Sequence, residues 1–491
     1  MEVKSSFYLT YFRFLNSMST MNQLKKVIRW YELLAIGVGG ILGTSWVYLN
    51  TKFYNEYGTG GVIFGFLLAT LMAVFVSLSY AELGSALKRD GGEIVFAYAA
   101  FGLRGAFIAG WTLFTAYTTC VCFYVPAAGY LFEWFFPELN TIKLWTIADT
   151  PVYLPSLSLG VFFLILFFIL NYKGVKLATL PQFFMTFLLV GFGLVLFFVA
   201  TIKGSLHNIT PLFLKNRSPL KCTIRFSLLA MTYLTGFSAL TMLGEESAVE
   251  EKTFGNMIVM SVFTAGLFYI LMMIGGAILF SWQKILNLEK GMIDEFYMLY
   301  KPLGRIAWFI SFLGMLTSLN GLMLAASRTI FVMGRAGVMP IAFAAVDEKH
   351  RTPKNALIFV FIIALVLGLL GKKAMIWFLD IGGISIGIAW ALCVLSMLKL
   401  RKKCPHLKRP FKAPFMFIIA PFSLMIVISI FAVSLIPGTP LSLNWPYEYS
   451  MLLIWIILGG ILHILSQKRW KVLTAERIAK NLLGKYLKDL Y

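Results

Sequence analysis

The residues able to do chemistry here are polar interruptions inside apolar runs. The stretch 37-GVGGILGTS-45 places Gly37, Gly39, Gly40 and Gly43 within nine residues and follows them with Thr44 and Ser45. Each glycine weakens a helix by about 1 kcal/mol relative to alanine. Unwinding there frees backbone N–H and C=O groups, which hydrocarbon tolerates only where they line a polar cavity. The half-helix beyond the break turns its positive N-terminal end to the gap, where a carboxylate is stabilised. Gly39 and Gly43, four apart, equally match a close helix-packing motif, and the residues alone leave both readings open. A second interruption, 232-TYLTGFSAL-240, sets Thr232, Thr235, Gly236 and Ser238 in another apolar run. Paired interruptions at matching places in two halves mark inverted-repeat transporters with a midplane site. Hydroxyls bonding back to their own helix are the plainer account of Thr232, Thr235 and Ser238.

Other chemistry is poorly supplied. Ionisable groups inside membrane helices are costly and kept for a task, yet His207, His350 and His406 fall in loops and His463 near the end of the last apolar run. No His pair, Ser/His/Asp set or carboxylate cluster reaches the middle of a run, so an enzyme is not expected and no cofactor is called for. The chain has no Gly-x-x-x-x-Gly-Lys-Ser/Thr phosphate loop, which excludes that kind of nucleotide motor. Its five cysteines show neither a disulfide framework nor zinc-ligand spacing.

The elements that position these residues follow from composition. Hydrophobic residues make up 59% of the 491 and charged residues 13%, against roughly 45–50% and 25% in soluble domains. Runs of 18 or more apolar residues are each long enough to cross hydrocarbon about 30 Å thick as a helix. The pattern predicts an all-α integral membrane protein with twelve transmembrane helices, at 32–50, 59–87, 93–134, 156–172, 177–202, 225–244, 257–282, 303–333, 355–371, 374–398, 413–436 and 449–467. The third exceeds a membrane's needs, so 93–103 is expected near the interface, with the crossing starting at Gly105.

The formal charge of +21 lies between apolar runs and at the ends rather than in one patch, which argues against nucleic acid. Of 43 Lys and Arg, placing both termini in the cytoplasm puts 29 inside and 13 outside, with Arg104 at a helix start, as the positive-inside rule requires. The stretch 468-KRWKVLTAERIAKNLLGKYLKDLY-491 spaces Leu473, Ile478, Leu482 and Leu483 among lysines, as in a helix lying on the inner leaflet. The organised sequence begins near Trp30, leaving Met1, Met18 and Met21 as alternative starts.

In order and spacing, the motifs resemble the amino acid–polyamine–organocation permeases. They are 39-GGILGT-44, 80-YAELGSALKRDGGE-93, Ala100-Phe101-Gly102, Gly110-Trp111, Gly236 followed nine and ten positions later by Glu245 and Glu246, 325-AASRTIFVMGRAGVMP-340 and 409-RPFKAP-414. The resemblance, over about residues 30–420, implies a five-plus-five inverted repeat with two added helices. It divides the chain into a cytoplasmic tail (1–30), a first repeat (31–202), a second repeat (203–398), a basic loop with two helices (399–467) and an amphipathic cytoplasmic tail (468–491).

It further implies that an amino acid's carboxylate meets backbone amides near Gly43, Thr44 and Ser45, in the loop that includes Gly40. The ammonium would meet carbonyls near Ile41 and, across the second break beside Gly236, Thr232 and Thr235; Tyr117, Tyr233 and Phe237 would help select the side chain. Ser45, followed by Trp46, stands where the family often has glycine, Ser238 where some exchangers have an acid, and Glu250 where the family has proline. Leu189 replaces the lysine that some members use in place of sodium. A coupling ion, sodium or proton, is then one means of drive, with Thr317 and Ser318 as a candidate sodium site; exchange without an ion is the other. Glu245, Glu246, Arg328 and Arg335 are candidates for a cytoplasmic gate, although interfacial anchoring explains such charges too. The expected function is secondary transport of amino acids across the cell membrane by alternating access. The absence of acids deep in the expected pocket helices argues against a polyamine or organic-cation carrier, while a channel or a flux-free sensor is the rival from another class. Expected partners are a small amino acid and the lipid bilayer; oligomeric state has no signature.

Overall fold

A computed structural model describes residues 27–215, 217–436, 442–469 and 475–490. Helices dominate because the apolar runs leave backbone groups no other partner in lipid. The chain opens with α1 (Trp30–Ile41), interrupts, and resumes as α2 (Ser45–Ala86). Gly58, at φ 74°, turns the backbone inside α2, so Ser45–Tyr57 continues the first expected span and the remainder is the second. The long α3 (Glu93–Phe132) likewise kinks at Gly102, φ 73°, close to the expected start of the crossing. Then come the hairpin of β1 (Lys143–Ile147) and β2 (Thr150–Tyr153), α4 (Leu154–Lys173), α5 (Val175–Lys203) and α6 (Pro219–Tyr233). A tight 3₁₀ segment, Phe237–Leu243, follows α6 after a break.

The second part runs through α7 (Glu251–Leu279), the short α8 (Trp282–Ile285) and α9 (Met292–Leu299), α10 (Lys301–Arg335), α11 (Lys354–Gly368), α12 (Ala374–Lys403), α13 (Met416–Leu435), α14 (Tyr447–Arg469) and α15 (Ala475–Leu483). Among the described residues, ten helices are long and apolar enough to cross a membrane; Trp30–Ile41 and Lys354–Gly368 are shorter apolar helices. The first expected span, 32–50, is thus two pieces. The hairpin and the α8–α9 segment were not expected, because short polar connections carry no periodicity to read.

Burial separates centre from rim. In α10 83% of the most apolar window is covered by other helices, against 28% in α5 and 17% in α14, so α10 is the axis of the bundle and the other two present side chains such as Phe187 and Ile464 outward. α10 packs on α3, α5 and α1, while α3 packs on α12, and α2 on α6 and α7. One buried carboxylate fastens the basic loop after α12 to this frame. Glu82 of α2 accepts from Arg401 Nε at 2.8 Å and from the Ala413 N–H at 2.9 Å, and lies 3.2 Å from Arg409 Nε. This joins the Glu82 motif to the Arg409 motif across more than three hundred residues.

The carboxy-terminal helix departs from expectation. Its apolar side, Ile478, Leu482 and Leu483, is buried against the ends of α10 and α3 instead of facing a lipid surface. Amphipathicity states that one face is apolar, not what covers it. Residues 1–26 and Leu473, included in the expected tails, lie outside the described residues.

Candidate functional site

The glycine run is where α1 stops. Leu42, Gly43 and Thr44 are non-helical, and Ser45 heads a new helix whose first-turn N–H groups have no intrahelical acceptor. The glycines have different surroundings, and the Gly39–Gly43 pair of the packing motif is split between them. A methyl on Gly37 would come within 2.7 Å of Ser261 Cβ, and one on Gly39 would strike Thr186 and Gln182 of α5, so these two serve packing. Gly43 faces the Tyr124 hydroxyl, 3.0 Å from where a methyl would sit, and Gly40 faces the second break.

That second break, Leu234–Gly236, follows α6. Gly236 adopts φ 103°, a region L side chains avoid, and a methyl there would lie 2.5 Å from the Gly40 carbonyl oxygen. The two interrupted backbones therefore abut. Tyr269 of α7 ties them together: its hydroxyl donates to the Ile41 carbonyl at 2.7 Å, reaches the Tyr233 carbonyl at 3.4 Å, and accepts from the Gly43 N–H at 3.4 Å. Trp46 Nε1 donates to the Gly43 carbonyl at 2.8 Å, giving the residue that departs from the family pattern a local task. Thr44 shares a short hydroxyl contact with Ser311 of α10.

Gly43, Thr232, Tyr233 and Thr235 are half-buried, whereas Thr44, Ser45, Gly236 and Phe237 are buried. The Thr232 and Thr235 hydroxyls bond back to Leu229 and Thr232 carbonyls at 2.7 and 3.2 Å, as the plainer reading required. Ser238 instead reaches across to the Tyr117 hydroxyl at 2.7 Å. Phe237 stacks on Trp390, ring centroids 5.5 Å apart, and meets Tyr80 edge-on, making it a floor beneath the break. Of the two candidate sodium ligands, Ser318 reaches α1, at 3.2 Å from the Gly39 carbonyl and 3.3 Å from that of Leu42. Thr317 turns to Gly314 on its own helix. Leu189 is fully buried, and the polar groups facing α1 from α5 are Thr186, bonded to the Ala35 carbonyl at 3.2 Å, and Gln182.

The charged residues converge below Phe237. Arg328 Nη2 lies 3.2 Å from Glu246 Oε1 with both side chains almost wholly buried. Glu245 pairs with Arg335 at 4.0 Å and, more closely, with Arg89 at 2.9 Å. Asp90 accepts the Glu245 N–H at 2.7 Å. Burial pushes the Asp90 carboxyl well above the usual carboxylate range, and Glu245 and Glu246 push it further. The Glu246 carboxyl is also raised by burial, an effect Arg328 opposes. Arg89 and Asp90 were missed in the sequence reading although they stand inside the 80–93 motif. The terminal helix adds carbonyls: Arg89 donates to Asn481 and Leu482 at 2.8 and 3.2 Å, and Arg335 to Asn481 at 3.4 Å. On the chain's other end, Val27 and Ile28 donate to the Glu246 carbonyl at 2.9 and 3.1 Å.

Two facing backbone breaks inside a bundle of apolar helices, with buried ion pairs at one end, are the frame of the site. The sequence pattern described as amino acid permease matches residues 28–458, and the chain belongs to that family, within the amino acid–polyamine–organocation superfamily; it is a multi-pass membrane amino acid transporter. It is 27% identical over 470 residues to the branched-chain amino acid permease BcaP of Bacillus subtilis (strain 168), covering 91% of this chain and 94% of that one. The cystine/glutamate transporter of Homo sapiens is 24% identical over 486 residues, 94% of this chain and 90% of that one. The methylthioribose transporter of Bacillus subtilis (strain 168) is 23% identical over 471 residues, 94% and 97% of the two chains.

The contact between the breaks separates two glycine substitutions. Gly236→Ala meets both a positive φ and the Gly40 carbonyl, so its thermal unfolding midpoint in detergent falls, with a loss of roughly 1–3 kcal/mol. Gly40→Ala places its methyl 3.7 Å from the Gly236 carbonyl oxygen, an ordinary contact, and unfolds near the wild-type temperature. Equal midpoints for the two variants would contradict this geometry.

Proposed function

We propose that the chain carries amino acids by alternating access about the two facing breaks, with the carboxylate on the N–H groups at Gly43–Ser45 and the ammonium toward carbonyls of Ile41, Thr232 and Thr235. The observation that carries this reading is the abutment of Gly40 and Gly236. It sets freed donors at the head of one half-helix beside freed acceptors at the tail of the other, the arrangement a zwitterion matches. The Ile41 carbonyl bonds Tyr269 here, so substrate entry exchanges that hydroxyl for an ammonium. Twelve crossings, ten of them two inverted sets of five, and cytoplasmic termini complete the reading. The two short helices are supported by their apolar composition and the orientation by the Lys and Arg bias. The relatives' names span branched-chain, cystine/glutamate and methylthioribose cargo, so they leave the side chain unfixed. Drive is by ion symport or by exchange, with no covalent chemistry.

Uptake into proteoliposomes with labelled amino acids and polyamines, with and without sodium and pH gradients and with preloaded counter-substrate, tests this directly. Saturable amino acid flux is expected. Ligand binding without flux under every condition would overturn the transporter reading.

The buried Arg328–Glu246 pair, with Arg89, Arg335 and Glu245 around it, is the proposed cytoplasmic gate. Removing one partner of a buried pair costs roughly 3–5 kcal/mol because a charge is left uncompensated. Glu246→Arg or Arg328→Glu alone is expected to cut uptake tenfold or more, about 1.4 kcal/mol or greater in barrier terms, and the double reversal to recover part of it. Unchanged uptake in all three would show that these charges only anchor helix ends.

A further inference from the structure

At the end of the molecule away from the gate, the segment containing α8 and α9 forms a lid over the start of α2. Thr51 donates to the Leu288 carbonyl at 3.3 Å, and Gly291 sits too close to the Val47 carbonyl and the Asn50 side chain to accept a methyl. Toward α3, Lys290 donates to the Tyr130 carbonyl at 3.0 Å, and Trp134 donates to Asp294 at 3.0 Å. Asp294 also accepts the Lys290 N–H at 2.9 Å. Its neighbour Glu295 differs. Glu295 is fully buried, as is Asn50, and among the described residues no Lys, Arg or His forms an ion pair with it.

Its hydrogen bonding is half complete. Asn50 Nδ2 donates to Glu295 Oε1 at 2.6 Å, while Glu295 Oε2 and Asn50 Oδ1 are both buried without a partner. An ionised carboxylate has only acceptors, as has the amide oxygen, so neither orphan can serve the other. A carboxylic acid has one donor, and acid and primary amide together close a ring of two hydrogen bonds that satisfies all four atoms. Tyr54 does not supply that donor, since its hydroxyl proton goes to the Met273 carbonyl at 2.6 Å.

We propose that Glu295 is a proton-binding site that fastens the lid: protonated, it closes the two-bond ring with Asn50 of α2, and loss of the proton releases the lid. Burial pushes the Glu295 carboxyl up to about 8, Asp294 adds to the rise, and the Asn50 bond opposes it. The facing groups are few. α2 presents Asn50 and Tyr54, α7 presents the Met273 carbonyl and Gly276, and Lys301 and Arg305 of α10 are exposed. The sign follows from linkage. The closed lid holds its proton to about pH 8, whereas an open, hydrated glutamate ionises near its ordinary value of about 4.3. Between these limits each pH unit favours opening ~tenfold, and above the upper one the dependence levels off.

The test uses the full-length protein in detergent and reads no transport, so its failure is distinct from failure of the carrier reading. Hydrogen exchange of the 288–299 amides, corrected for intrinsic rates, is followed between about pH 5 and 9. Opening of the wild-type lid is expected to rise with pH and flatten near the upper end. Glu295→Gln, whose amide makes both bonds without a proton, stays closed and flat. Infrared difference spectra, wild type minus Glu295→Gln so that other raised carboxyls such as Asp90 cancel, add a second readout: a protonated-carboxyl C=O band at neutral pH that fades in parallel. A flat wild-type profile, a slope unchanged in E295Q, or no such band would overturn the proposal.

Discussion

In hydrocarbon a backbone amide has no water to fall back on, and this structure is arranged around two places where the helix ladder is nonetheless cut. Leu42–Thr44 and Leu234–Gly236 leave the helical ladder; the Leu42, Gly43 and Leu234 N–H groups keep nearby carbonyls at Val38, Ile41 and Met231, and any group left unsatisfied in hydrocarbon costs several kcal/mol. The surrounding helices supply the compensation. Tyr269 bonds groups from both breaks, Trp46 takes the Gly43 carbonyl, and Ser318 lies within reach of the Gly39 and Leu42 carbonyls. Partners of this kind are exchangeable, because a hydroxyl bonded to a carbonyl yields to a ligand donor at modest net cost. The breaks are thus largely satisfied without substrate, by partners of the kind the proposed carrier exchanges.

The same economy of unmet groups governs both ends of the bundle. At the proposed gate end three carboxylates, Asp90, Glu245 and Glu246, meet three guanidiniums, and the terminal helix and the 27–28 segment add backbone partners to them. Buried ion pairs are weak net stabilisers but costly to split. They suit an interface that must hold one arrangement and then exchange it for another. At the opposite end a single carboxyl faces an amide with half of its bonds made.

Much of the site was legible because glycine and hydroxyl residues are conspicuous in apolar runs. Gly43 and Gly236 lie in the two breaks, while Gly37 and Gly39 in the same run sit against α7 and α5, so Gly39 and Gly43 do not act together as one packing motif. Tyr269 was not legible. It is one aromatic in an apolar helix, and its role depends on contacts made across more than two hundred residues of chain. Arg89 and Asp90 were in view inside a quoted motif, yet their meeting with Glu245 is a tertiary fact. The sequence showed the amphipathic terminal helix but not its partner, since a helical apolar stripe fits protein and lipid alike. Glu295 had no signal beyond being an acid in a connecting segment.

The central claim is that backbone N–H groups at Gly43–Ser45, of which that of Gly43 rests on the Ile41 carbonyl at 2.9 Å in the structure, bind a substrate carboxylate. Competition binding in purified protein tests it most directly, comparing a transported amino acid with its methyl ester and with the amine that lacks the carboxyl group. Losing a charge-assisted contact in a desolvated site is worth about 2–5 kcal/mol, so both analogues should compete at least ~30-fold more weakly. An amine that competes as well as the amino acid would contradict the account.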